Sequence, residues 1–246
     1  DDFRRHGFYG GNTLILDILD KNRELLDVGD GDFAASIQAT RETLRSAAEV
    51  LIEQAALVGD ELSVQVRVVN HSGHKLPTSF PSRRAYLHLT VTDGAGSTLF
   101  ESGRMNPDGS IEGVDSDSGE MGYEPHYREI GSPDQVQVYE PIMGDSQGNQ
   151  TYTLLDAASY IKDNRIPPKG FDKLAVPEQI AVKGLAMDDA DFGDGSDLVN
   201  YRIKVPAVDG VVVSVELNYQ TLAYGFLRDL RQDAADPTVA SFLDMY

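Results

Sequence analysis

The sequence predicts a mainly β fold, a β-sandwich of the immunoglobulin-like kind with helices at the N-terminus and one helical insertion. Several short runs alternate apolar and polar side chains, as strands with one buried face do. Turns rich in glycine, proline and aspartate separate these runs, a spacing typical of sandwiches. With 41% hydrophobic residues, the chain of 246 residues can bury a substantial core.

The first part of the chain has the periodicity of helices. After a short apolar stripe, a longer one with helical spacing covers residues 33–58. Asp32 is suited to cap that helix, and Gly59 to stop it. We therefore predict a helical segment over residues 1–60, which links to a further region, and a sandwich domain over residues 61–246.

Within the sandwich domain, residues 62–68 and 86–92 alternate as strands and flank a loop. Residues 199–205 and 211–219 alternate as well, and the five residues between them are of a length that predicts a hairpin. Apolar spacing near residues 151–163 predicts the helical insertion, which ends before Pro167 and Pro168. Residues 177–185 are expected to add a strand, and a helix is expected at the C-terminus.

The loop over residues 70–88 holds three of the five histidines and a local cluster of cations, Lys75, Arg83 and Arg84. Pro77 and Pro81 stiffen it. One interpretation is a scaffold in which these cations hold acidic loops by charge-assisted hydrogen bonds. The other is an exposed surface that binds a carboxylate-bearing ligand.

Charge excludes one class of function. The formal net charge is −19, so the surface repels phosphate backbones and nucleic-acid binding is not expected. No apolar run reaches the length of a membrane span. There is no cysteine, which excludes disulfides, thiolate metal sites and the Cys-x-x-Cys-His attachment of haem.

Two acidic loops are candidate calcium sites, because oxygen ligands on a turn suit that ion. Solvated acidic surface is the alternative for both. The candidate ligands are Asp115, Asp117, Glu120 and Glu124 in the first loop, and Asp191, Asp194 and Asp197 in the second.

Catalytic signals are weak. His71, His74 and His88 lack the spacing of a helical zinc motif, so a metal-assisted hydrolase remains only an alternative. No serine occupies a Gly-x-Ser-x-Gly elbow. His126 follows a proline at the start of a packed segment, and we assign it a structural role. We expect no enzyme activity.

Eight segments resemble, in the same order, the haem-free C-terminal domains of bacterial multihaem c-type cytochromes. The strongest is residues 73–88, GHKLPTSFPSRRAYLH, and the N-terminal RHGFYGGN over residues 5–12 is similar to the stretch that follows the last haem motif in that family. The other matching segments are residues 123–127, 135–140, 160–168, 195–197, 218–221 and 228–231. The missing cysteines are the main departure from the family.

The resemblance implies a non-catalytic domain of an exported cytochrome that covers or positions haems and supports electron transfer. It implies haem c held by another part of the protein or by another chain, with His6, or His74, as an axial ligand. It also implies redox partner proteins, a periplasmic or cell-surface location and a processed or excised boundary at Asp1. The alternative is a calcium-stabilised sandwich that binds carbohydrate or protein.

Overall fold

The computed structural model describes residues 9–119, 121–208 and 210–246. Four α-helices lie in this range, and none is long and apolar enough to cross a membrane. They are α1 Thr13–Lys21, α2 Phe33–Ala47, α3 Tyr224–Leu230 and α4 Pro237–Met245. The strands are β1 Ala48–Val58, β2 Glu61–Asn70, β3 Arg84–Asp93, β4 Thr98–Ser102, β5 Glu129–Ile130, β6 Val138–Tyr139, β7 Pro141–Gly144, β8 Gln150–Thr151, β9 Ser159–Asp163, β10 Ser196–Lys204 and β11 Val211–Gln220. The prediction of a mainly β fold is confirmed.

Two sheets share one hydrophobic core. The first has the strand order β1-β2-β10-β5, and the second has β11-β3-β4 with β6 also paired to β3. Alternate residues of β2 and β10 point inward and meet those of β3, so that apolar rows from both sheets are buried. The core includes Val64, Val66, Leu87, Leu89, Val199, Tyr201 and Ile203.

The N-terminal helices begin where the sequence predicts and end earlier. The Asn12 and Asp32 side chains accept hydrogen bonds from the N–H groups of Ile15 and Ala35, which caps α1 and α2. The prediction of one helix over residues 33–58 is wrong beyond Ala47, because β1 pairs with β2 along its whole length. The ladder hydrogen bonds to β2 override the helical spacing of apolar residues.

The predicted helical insertion is also wrong. Strands β7, β8 and β9 form a small third sheet, and β9 covers part of the segment near residues 151–163. The side chain of Lys162 on β9 is buried beside Glu140, which a surface helix would not allow. The expected strand over residues 177–185 is instead two short 3₁₀ turns, at Glu178–Ile180 and Gly184–Met187. The C-terminal helices are confirmed.

The connection between β2 and β3 and the connection between β10 and β11 both cross from one sheet to the other. The pair β10 and β11 does not form the predicted hairpin, since β10 pairs with β2 and β5 while β11 pairs with β3. Likewise, β2 and β3 belong to different sheets, so the loop between them spans the end of the two-sheet core. The loop that carries Lys75 and Arg83 is therefore a bridge between the sheets.

A close approach of strands requires glycine at position 103. Gly103 has φ +82°, and a Cβ there would lie 2.3 Å from the carbonyl oxygen of Leu87 on β3. Gly96 has a similar φ of +86° with no atom within 4 Å of the corresponding position. The two glycines share a left-handed backbone conformation, but only Gly103 has no room for a side chain.

We therefore expect Gly103→Ala to lower the free energy of unfolding by about 2–3 kcal/mol more than Gly96→Ala does, because only the first drives a methyl group into backbone. Urea denaturation of both variants measures the difference. Equal losses would show that β3 and β4 move apart at no cost, contrary to this packing.

Candidate functional site

The loop between β2 and β3 is clamped to the segment that follows β9. At its start, the buried Asn70 donates from Nδ2 to the carbonyl oxygens of His74 (2.7 Å) and Ile166 (2.9 Å). Lys75 Nζ lies 2.7 Å from Asp163 Oδ2. Burial lowers the pKa of Lys75, against the raising effect of Asp163. The predicted scaffold role of Lys75 agrees with these contacts.

Arg84, at the start of β3, makes the strongest polar contact of the loop. Its guanidinium donates to both oxygens of Asp117, at 2.8 and 2.6 Å, and its Nε donates to Gln220 Oε1 at 2.6 Å. The Arg84 side chain is 0% exposed. Desolvation lowers the pKa of Arg84, but the bonds to Asp117 outweigh it, and the pKa is raised. Arg83 differs, since it donates to the carbonyl oxygen of Thr78 in its own loop.

The first predicted calcium loop is folded inward. Asp117 is held by Arg84 and also accepts from the Ile111 N–H at 2.7 Å. The buried Glu124 accepts from the Asp115 N–H at 2.9 Å, and burial raises the pKa of Glu124. Protein donors thus occupy two of the predicted calcium ligands. Asp115 is exposed, and Glu120 lies outside the described residues.

The second predicted calcium loop separates its three carboxylates. Asp194 accepts from the Gly170 N–H at 2.7 Å, and Asp191 is exposed. Asp197, at the start of β10, is 0% exposed and lies between the sheets. In this loop one carboxylate is exposed, one accepts a backbone hydrogen bond and one is buried, so the three do not face a common point.

Asp197 instead lies beside His126 and Asp189, two residues brought together only by the fold. Among the described residues, these are the three metal-ligand side chains whose donor atoms all lie within 4.8 Å of one another. His126 Nε2 is 3.2 Å from Asp189 Oδ2 and 3.8 Å from Asp197 Oδ1. The sequence predicts a structural role for His126 and a calcium-ligand role for Asp197, and it predicts no role for Asp189, which is 63 positions from His126.

Two amide side chains fix the proton on His126. Gln137 Oε1 accepts from the Tyr127 N–H, so its Nε2 donates to His126 Nδ1 at 2.8 Å. Asn164 Oδ1 accepts from the Glu140 N–H, so its Nδ2 also faces Nδ1, at 3.2 Å. If the oxygen and nitrogen of either amide were exchanged, its NH₂ group would face a backbone N–H donor. The Nδ1 atom therefore accepts, and the ring proton is on Nε2.

This tautomer does not suit a metal. A ligating histidine normally donates its second N–H to an acceptor, whereas Nδ1 of His126 faces two donors. Its Nε2 presents a proton to Asp189 and Asp197, where a metal needs a lone pair. The cluster has the chemistry of a buried hydrogen-bond network.

A buried ion pair extends this polar layer. Lys162 Nζ lies 3.0 Å from Glu140 Oε1 and 3.0 Å from the carbonyl oxygen of Val138. Burial lowers the pKa of Lys162, against the raising effect of Glu140. Asn164 donates to the same Val138 oxygen at 2.8 Å, which joins the ion pair to the His126 cluster. The two groups thus form one connected interior network.

The other predicted histidine sites are apart from this network. The exposed His74 is held in its loop by backbone hydrogen bonds, and His6 lies outside the described residues. His88 Nε2 is 2.9 Å from Glu101 Oε1, and His71 Nε2 is 3.3 Å from Glu49 Oε2. The structure gives each of these two rings its own carboxylate partner rather than a shared zinc.

Among known proteins, the chain is similar to a distant structural neighbour. No family model and no curated protein matches this sequence. Among solved structures, the chain is similar to a penta-haem cytochrome c552 from Thermochromatium tepidum, with 20% identity and a TM-score of 0.43. The match covers 78% of this chain and 36% of that one, so the chain spans about a third of its length.

The buried guanidinium gives a sharp test of the scaffold. Arg84→Lys keeps the charge but loses the planar fork that grips both oxygens of Asp117. We expect it to lower the free energy of unfolding by about 1–3 kcal/mol in urea denaturation. The matched control is Arg202→Lys, whose exposed parent side chain pairs with Glu129 and Glu61. The control should leave the free energy of unfolding unchanged. If Arg84→Lys also leaves it unchanged, the loop is solvated and does not act as a scaffold.

Proposed function

We propose that this chain is a haem-free, non-catalytic β domain that covers or positions haems of a multihaem cytochrome region and supports electron transfer. The observation that carries the proposal is that the segments resembling the cytochrome family are bonded to one another inside the fold. Segments distant in sequence supply the partners of each buried contact. The segments that carry the resemblance therefore contact one another in the folded protein.

Two sets of contacts illustrate this. The segment over residues 73–88 joins the segment over residues 218–221, because Arg84 donates to Gln220 and Ser82 Oγ donates to the carbonyl oxygen of Thr221. The remaining inner segments meet in the network around one imidazole. Its members are His126, Gln137, Asn164 and Asp197, each from a different segment.

The N-terminal segment reaches the same end of the fold. The carbonyl oxygen of Gly11 accepts from Tyr219 Oη at 2.7 Å and from Thr221 Oγ1 at 3.3 Å. Nearby, a Cβ on Gly11 would lie 3.2 Å from Arg83 Nη1. Since the resemblance sets the haem region before this segment, we infer that haems lie against this end. Phe80, 46% exposed on the loop, is then a contact residue.

The finer features of the proposal come from the resemblance. They are an immunoglobulin-like arrangement of the two sheets, His6 or His74 as an axial ligand to haem c held elsewhere, redox partner proteins, and export to the periplasm or cell surface. The absence of cysteine limits this chain to non-covalent contact with haem. A calcium-stabilised binding module has no comparable support, since Arg84 and backbone N–H groups occupy Asp117 and Glu124.

The test uses the complete natural protein and a charge introduced beside the proposed haem face. Phe80→Glu should lower the midpoint potential of one haem, because a nearby negative charge favours the ferric state. Val58→Glu is the control: Val58 is 78% exposed at the far end of β1, away from the loop. Redox titration measures both variants.

Equal potentials in the two variants and the native protein would contradict the haem face. A complete reading frame without Cys-x-x-Cys-His motifs, together with a purified natural protein free of bound haem, would contradict the proposed function itself.

A further inference from the structure

We propose that Asp197 is a buried carboxylic acid that keeps a proton in the folded protein, so that the stability of the packed sheets depends on pH. Asp197 belongs to β10 of the first sheet. It accepts a hydrogen bond from Tyr139 on β6 of the second sheet. The side chain that holds the proton therefore lies where the two sheets meet.

The two oxygens of Asp197 have unequal surroundings. Oδ2 accepts from Tyr139 Oη at 2.7 Å and from Gln137 Nε2 at 3.2 Å. Oδ1 is buried and has no hydrogen-bond partner in the described part of the chain. An ionised carboxylate in that position would leave a charged oxygen without a donor, which is costly in a protein interior.

The Nε2 donor of His126 is directed to the other carboxylate. His126 Nε2 is 3.8 Å from Asp197 Oδ1, but it lies closer, at 3.2 Å, to Asp189 Oδ2. Nδ1 of the same ring faces the N–H groups of Gln137 and Asn164. His126 thus gives Oδ1 of Asp197 no hydrogen bond.

Asp189 is the ionised member of the pair. One of its oxygens accepts from His126, and the other accepts from the Asp191 N–H at 2.9 Å. Desolvation raises the pKa of Asp189, but these bonds outweigh it, and its pKa is lowered. By contrast, burial raises the pKa of Asp197. The pKa values of the two neighbouring carboxyl groups are thus shifted in opposite directions, so that Asp197 keeps its proton and Asp189 is ionised.

None of the described groups around the pair forms a hydrogen bond with Oδ1. Tyr201, on the same strand as Asp197, is buried, and its hydroxyl has no partner among the described residues. Burial raises the pKa of Tyr201. The titratable and charged groups that face the pair are His126, Tyr139, Tyr201, Asp191, Arg128 and, on β2, Arg67.

The direction of the pH effect follows from the raised pKa of Asp197. The folded state holds this proton more tightly than the unfolded state does. The stabilisation is therefore complete at acid pH and is lost as pH rises through the folded-state pKa.

The experiment measures the urea midpoint of unfolding between about pH 5 and about pH 8 in the native chain and two variants. Asp197→Asn replaces the protonated acid by an isosteric neutral amide with a donor. We expect it to remove most of the fall in midpoint with rising pH. Asp191→Asn, at an exposed neighbouring carboxylate, is the matched control and should keep the native fall.

Infrared spectroscopy tests the same proton without depending on the variant's stability. Native protein at neutral pH should show the C=O stretch of a buried carboxylic acid, and Asp197→Asn should lack it. Absence of the band in the native protein would overturn the proposal, as would an unchanged pH dependence in a folded Asp197→Asn variant. A stoichiometric metal whose chelation lowers the urea midpoint of the native chain, but not of Asp197→Asn, would also overturn it. None of these results bears on haem contact.

Discussion

The pairing of Arg84 with Asp117 is the interaction on which the arrangement of the loops depends. A fully buried guanidinium is tolerated only with its charge and donors satisfied. Asp117 takes two donors, and Gln220 takes the third. These partners come from a 3₁₀ turn and from the last residue of β11. One side chain thus fixes the start of β3 against the 3₁₀ turn, and it adds a side-chain bond to the backbone ladder that already pairs Arg84 with Gln220.

Behind that pair, the polar interior is continuous. Lys162 is paired with Glu140 and shares the carbonyl oxygen of Val138 with Asn164, and Asn164 reaches the imidazole of His126. Such networks stabilise less than apolar packing of equal volume, yet a broken network is costly because each group then loses its partner. Their value here is geometric, since the network joins side chains of all three sheets. This is the kind of rigid support that a domain needs when its task is to hold another group in place.

The charge distribution fits the same picture. The chain carries 40 acidic against 21 basic side chains, but several cations are used inside. Lys75, Arg84 and Lys162 each hold a buried carboxylate. The surface is left acidic, and the two-sheet core is closed at one end by a bridging loop. The proposed positioning role would use such order in the loops.

The sequence by itself determined the features that depend on neighbours along the chain. The helix cap at Asp32, the alternation of β2, β3, β10 and β11, and the scaffold contact of Arg84 were predictable, because each follows from local spacing or from the chemistry of one side chain.

Tertiary structure decided the rest. Residues 48–58 form β1 because they pair with β2 along a ladder, and β10 and β11 form no hairpin because each pairs with strands of a different sheet. The contacts of His126 with Asp189 and Asp197 have the same origin. Contacts across 60 or more positions are set by how the sheets pack, and the local periodicity of the sequence does not determine that packing.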